Sequence, residues 1–160
     1  MKELGSDFKE KMSKDQKFAI MGVGSVLRSD DAAGMYFIEQ LEANIQREDV
    51  LLIAGSTAPE NFTGVIKNFA PDKLFIIDAA HMGLPVGEIR MLDMSEIGGM
   101  AFSTHMLPLP VMLNYLELEI GCEIFCIGIQ PGSTEQGLSI CEEVRAGARH
   151  LAEMFCEALH

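Results

Sequence analysis

Asp30, Asp31, Asp78 and a histidine, His81 or His105, are the residues whose types and placing could do joint chemistry. The first two stand in MGVGSVLRSDDAAG (21–34), Asp78 closes the apolar run KLFIIDA, and His105 sits in STHMLPLP. Two carboxylates and an imidazole are hard and borderline donors that suit a divalent first-row metal. Three protein ligands leave a position open for water or substrate, which is the pattern of a working metal site rather than a structural one. Each residue also has a plainer reading. One Asp of the pair serves as a helix cap, since acids in a first turn complement the helix dipole, and that leaves the other carboxylate spare. Asp78 is either a turn starter or a group aimed into a crevice, because a carboxylate among apolar neighbours costs several kcal/mol unless it is paired or binds a metal. A lone loop histidine is more often incidental than functional. His81 lies close enough to Asp78 to compete for a shared site, while His150 and His160 read as solvated.

Other chemistries fit less well. GVGS begins as a dinucleotide fingerprint, but Leu27 stands where the third glycine belongs. Acids at the following helix start would repel a phosphate. Ser25, Ser29, Ser103 and Thr104 fall near the same region, yet no G-x-S-x-G elbow occurs. Cys122, Cys126, Cys141 and Cys156 form no C-x-x-C and read as buried free thiols.

The elements that must position these residues follow from the hydrophobic pattern. Apolar runs at Phe18–Val23, Val50–Ala54, Lys73–Ala79, Glu88–Leu92 and Glu123–Ile129 read as strands. Helices are expected over Ala32–Ile45, Pro59–Phe69 with proline in its first turn, Val111–Ile120 and Ser139–Leu159. Continuous apolar strands alternating with amphipathic helices predict an α/β fold. The form expected is a single-domain three-layer sandwich, a twisted, mostly parallel five-stranded sheet with helices on both faces. In such sheets function collects beyond the C-terminal ends of the strands. That rule selects segments 24–34, 78–85 and 94–108.

The 160-residue length fits one domain with a full core. A net charge of −12 argues against a nucleic-acid binder, which needs a basic face, and against docking on anionic membrane. The eleven Met residues read as core filling rather than a binding surface. Residues 1–17 are polar, with no apolar h-region, and read as a partly disordered leader before a domain at 18–160. No stretch is long and apolar enough to span a bilayer. A cytoplasmic protein is expected.

Four segments carry a family resemblance. GVGSVLRSDDAAG resembles the opening G-x-G-N-x-L-x-x-D-D-x-x-G block of the [NiFe]-hydrogenase maturation proteases. FIIDAAHMGLPVGEIRMLD (75–93) is similar to their second block, and STHMLPL to their third. GIQP (128–131) is similar to the branch that serves formate-hydrogenlyase-type hydrogenases. The resemblance implies a five-stranded twisted sheet and an endopeptidase, of aspartic or metal-dependent type, that removes a C-terminal extension from the hydrogenase large-subunit precursor after nickel insertion. It implies Asp31, Asp78 and His105 as the metal-contacting and catalytic residues, Asp30 as their supporting partner, nickel supplied by the substrate, and no nucleotide. A monomer is expected, since the partner is another protein. Two other classes remain open: a nickel-checking chaperone that binds the precursor without cutting it, and a nucleotide-dependent enzyme using GVGS. The chain departs from the pattern at Ser25, where the family has Asn, and at Ser29 and Ala32, where many members have Gly. Those changes bear on the shape of the turn, because Gly takes positive φ and Ser or Ala rarely does.

Overall fold

A computed structural model describes residues 8–12, 15–92, 101–102, 109–135, 137 and 139–159. Strand β1 (Phe18–Val23) is buried at every position, and β3 (Lys73–His81) at every position but its last. Runs that are apolar on both faces become the central strands of a covered sheet. The other strands are β2 (Val50–Ser56), β4 (Ile89–Leu92), the two-residue β5 (Ala101–Phe102) and β6 (Glu123–Ile129). Helices α1 (Ala33–Glu42), α2 (Thr63–Phe69), α3 (Leu109–Ile120) and α4 (Glu142–Leu159) connect or follow them.

Five strands form the main sheet in the order β2-β1-β3-β6-β4, with β5 paired to the end of β3. The pairs β1–β2, β1–β3 and β3–β6 are parallel. β4 runs antiparallel to β6, and β5 antiparallel to β3. The reversal of β4 has a simple cause. Residues 82–88 are too few for the crossover of a dozen or more residues that a parallel return needs.

Alternate residues along the strands build two cores. On one face Phe18, Ile20, Phe75 and Ile77 meet Phe37 and Leu41 of α1 and Leu151 and Phe155 of α4. On the other, Ala19, Met21, Leu74 and Ile76 meet Ile66 of α2 and Met112, Leu113 and Leu116 of α3. The three-layer α/β arrangement follows as expected.

Boundaries differ in informative ways. The first and second helices each open with a 3-10 turn, Ser29–Ala32 and Pro59–Phe62, rather than an α-turn. β3 continues two residues past Ala79, because Ala80 and His81 gain Phe102 and Ala101 as partners. The leader also differs from a disordered tail over the part described. Residues 8–11 are helical, and Phe8 and Met12 are buried in the α1/α4 core. Phe8 meets Phe155 edge-on at 4.4 Å between centroids. The two apolar residues stand at i, i+4 on one helical face, a pattern hidden by the charged residues between them. Residues 1–7 and 13–14 lie outside the described residues.

Candidate active site

The site begins with three glycines. A Cβ on Gly22 would lie 2.1 Å from the carbonyl oxygen of Gly34. One on Gly34 would lie 2.2 Å from the oxygen of Val23 and 2.4 Å from that of Ile77. One on Gly24, whose φ is +148°, would lie 2.0 Å from the oxygen of Asp31. The glycines of GVGSVLRSDDAAG therefore serve close backbone approach. They let the start of α1 sit directly on the C-terminal ends of β1 and β3.

That seat lowers the 3-10 turn Ser29–Ala32 into the sheet edge, with Ser29, Asp30 and Asp31 all buried. Asp31 is 1% exposed. Asp78, also 1% exposed, comes one residue after Ile77, which lies opposite Gly22 in the β1–β3 register. Asp31, in the turn that follows β1, and Asp78, late in the neighbouring β3, thus both lie at the C-terminal end of the sheet. Asp78 lies within β3 and starts no turn; its Oδ1 accepts the Ala79 N–H at 2.8 Å. Strand alternation puts it on the α2/α3 side with Ile76 and Ala80.

His81, three residues on, falls on the opposite face and is exposed, so the structure does not bring it to Asp78. His150 is exposed on α4. His105 and His160 lie outside the described residues. The segment holding His105 leads directly into α3, which packs on the Asp78 side of the sheet. Among the described residues no three His, Cys, Asp or Glu side chains form a metal-holding group.

Asp30 does not cap its own helix. Its Oδ2 accepts the N–H groups of Gly132 (2.8 Å) and Ser133 (3.1 Å), its Oδ1 accepts that of Cys141 (2.8 Å), and the Cys141 thiol approaches Oδ2 at 3.2 Å. Burial pushes the carboxyl pKa up, but the N–H groups of Cys141, Gly132 and Ser133 outweigh it and hold the group below its ordinary value. Gln130 was visible in sequence only as part of GIQP. Its Oε1 accepts the N–H groups of Met82 (2.7 Å) and Leu84 (3.3 Å), just beyond β3.

The family departures resolve separately. Ser29 takes φ +51°, a left-handed conformation costing on the order of 1–3 kcal/mol for a non-glycine residue. Its hydroxyl donates to the Ser139 carbonyl at 3.0 Å. Ala32 takes φ −82° and has no need of glycine. Ser25 accepts the Leu27 N–H at 3.3 Å.

All four cysteines are free. Burial, then the charge of Asp78, pushes the Cys126 thiol up to about 12, which makes it a poor nucleophile. Native alkylation at pH 8 is therefore expected to label half-buried Cys156 and to leave Cys126 and Cys122 unmodified until the chain unfolds. Peptide mass mapping checks this, and rapid native labelling of Cys126 would contradict the burial described here.

Residues 35–158 match the family model for HycI, hydrogenase maturation protease. This chain belongs to the hydrogenase maturation protease family. The hydrogenase 3 maturation protease of Escherichia coli K12 is 37% identical over 70% of this chain and 71% of its own length. The solved HycI maturation protease of Thermococcus kodakarensis KOD1 superposes with a TM-score of 0.85 at 35% identity, covering 94% of this chain and 97% of the other. The maturating endopeptidase HybD of E. coli gives 0.74 at 28% identity, over 89% and 91% of the two chains. Like these relatives, this maturation protease is an endopeptidase on a mostly parallel α/β sheet. The expected family and fold are those found.

Proposed function

We propose that this maturation protease removes the C-terminal extension of a [NiFe]-hydrogenase large-subunit precursor after nickel insertion, and that the precursor's nickel is its recognition signal. The observation that carries the reading is that Asp31, in the turn after β1, and Asp78, in the C-terminal part of the neighbouring β3, are both buried carboxylates at the C-terminal end of the sheet. Two buried carboxylates at the C-terminal end of the sheet are suitable oxygen donors for a divalent first-row ion, and His105 would supply the imidazole. In this reading the nickel belongs to the substrate and the protein holds no tight metal of its own. The substrate's ion would supply Lewis-acid polarisation of the scissile carbonyl and of a bound water, and a carboxylate of this chain would take the water's proton as general base.

The surroundings suit a protein substrate. Val26 and Leu27, 68% and 66% exposed, form an apolar tip in the loop between Gly24 and Asp31, where a docked polypeptide would cover them. No helix among the described residues is long and apolar enough to cross a membrane. A cytoplasmic monomer that meets its client transiently completes the proposal.

The test is incubation with nickel-loaded and nickel-free precursor. Loss of the extension from the loaded form alone is expected, read as a size shift on a denaturing gel. Binding of the loaded form with no shift would favour a nickel-checking chaperone. Equal cleavage of both forms would remove nickel as the signal.

A further inference from the structure

We propose that the segment after β6 is a clamp that positions both acids of the site, with Asp30 and Gln130 as its two positioning residues. This rests on Asp31 and Asp78 being that site. The clamp has two jaws on one piece of backbone. At the first, Asp30 binds the N–H groups of Gly132, Ser133 and Cys141 through its carboxylate. Its own N–H donates to the Ser133 carbonyl at 3.0 Å. The Ser29 hydroxyl adds a bond to Ser139. The turn that carries Asp31 is thereby tied to residues 132–141 on the side next to Asp31 in sequence.

At the second jaw, Gln130 binds the N–H groups of Met82 and Leu84 through Oε1, while its Nε2 donates to the Pro131 carbonyl at 3.1 Å. Its main chain is held as well: Gln130 N–H donates to Glu88 O and Gly87 N–H to Gln130 O, both at 2.8 Å. The chain leaving β3 after Asp78 is thereby tied to the same segment. Gly132, where the Asp30 jaw begins, stands two positions after Gln130. The segment after β6 thus contacts both the turn bearing Asp31 and the chain that continues from β3 past Asp78.

Neither residue is placed to meet the substrate's metal. Both Asp30 oxygens are occupied by backbone donors, and Gln130 is buried with its amide engaged at both atoms. Their contribution is geometric. A misplacement near 1 Å can cost about a hundredfold in rate, and loss of outer contacts to metal ligands typically costs about 10–100-fold.

The experiment compares kcat and KM for nickel-loaded precursor among the wild type, Asp30→Asn, Gln130→Ala and Gln130→Asn. It is run below each variant's unfolding temperature. The expected result for Asp30→Asn and Gln130→Ala is kcat lower by about 10–100-fold with KM within about threefold of wild type. Gln130→Asn, whose shorter amide reaches at most one of the two N–H groups, is expected to fall between Gln130→Ala and wild type. A merely structural role would lower the melting temperature and leave kcat per folded molecule unchanged, and that result overturns the proposal. If Asp30→Asn does not fold, the two Gln130 variants decide alone. An Asp31→Asn control separates the readings: if it cleaves like wild type, the site itself is misassigned; if it is inactive while the clamp variants keep wild-type kcat, only the clamp fails.

Discussion

Replacing Asp78 with Asn is expected to lower kcat/KM for precursor cleavage by about a thousandfold or more while the fold survives. Asn keeps the volume of the side chain and an oxygen to accept the Ala79 N–H, so packing at this fully covered position is preserved. It loses the negative charge, and with it the strong donor and the proton acceptor. Removing even one well-aimed polar group from an enclosed site costs about 10²–10³ in rate, and on the proposed function, in which Asp78 contacts the substrate's metal, the cost should reach at least the upper figure. A second readout does not depend on activity. Asp78 helps to raise the Cys126 thiol, so the Asn variant should lower that thiol's pKa, measurable as thiolate ultraviolet absorbance in a titration of the folded protein at high pH. Asp31→Asn should match it in activity and leave the thiol unchanged. Wild-type cleavage by a folded Asp78→Asn variant would remove this residue from the site.

The second large effect concerns a residue with no side chain. Gly34→Ala places a methyl carbon 2.2 Å from one backbone oxygen and 2.4 Å from another, on two different strands. Neither oxygen can swing away as a side chain would, so α1 must lift off the sheet. Overpacking typically costs about 1–3 kcal/mol, and a clash with two rigid backbones belongs at or above the top of that range. Urea unfolding would show it as a lower midpoint. Cleavage by the folded fraction should fall too, because the turn bearing Asp31 moves with the helix start. Gly64→Ala is the control: nothing lies within 4 Å of that Cβ in α2, so alanine should stabilise by about 0.5–1 kcal/mol. An unchanged midpoint for Gly34→Ala would refute the glycine seat.

Much of this was legible in the chain itself. β1, β3 and β6 announce themselves as unbroken apolar runs, and the helices between them carry clear stripes. The preference for strand C-termini then points to segments 24–34 and 78–85, and Asp31 and Asp78 each lie buried at that end of the sheet. What was hidden depends on partners distant along the chain. Asp30 looked like a local helix cap because its true partners, Gly132 and Cys141, stand 102 and 111 residues away. Gln130 looked like a motif letter because the N–H groups it binds are 46 and 48 residues earlier. The end of β3 was misjudged for the same reason, since its last pairs are with β5. Phe8 and Met12 were masked by charged neighbours. The glycines of GVGS read as the start of a phosphate fingerprint that Leu27 breaks. Their close-packing role appears only when three backbones are in place.

The strand order has a consequence for when cutting power arises. Asp31 follows β1 and Asp78 lies in β3, and these strands meet in parallel only with the whole of α1, β2 and α2 formed between them. Pairing of that kind is non-local and closes slowly compared with a hairpin. On the proposed function, a growing chain that has made Asp31 holds half of a site, without the acid that completes it. Proteolytic competence would then arrive only with the assembled sheet, and unfinished or partly unfolded copies would carry no fragment able to cut.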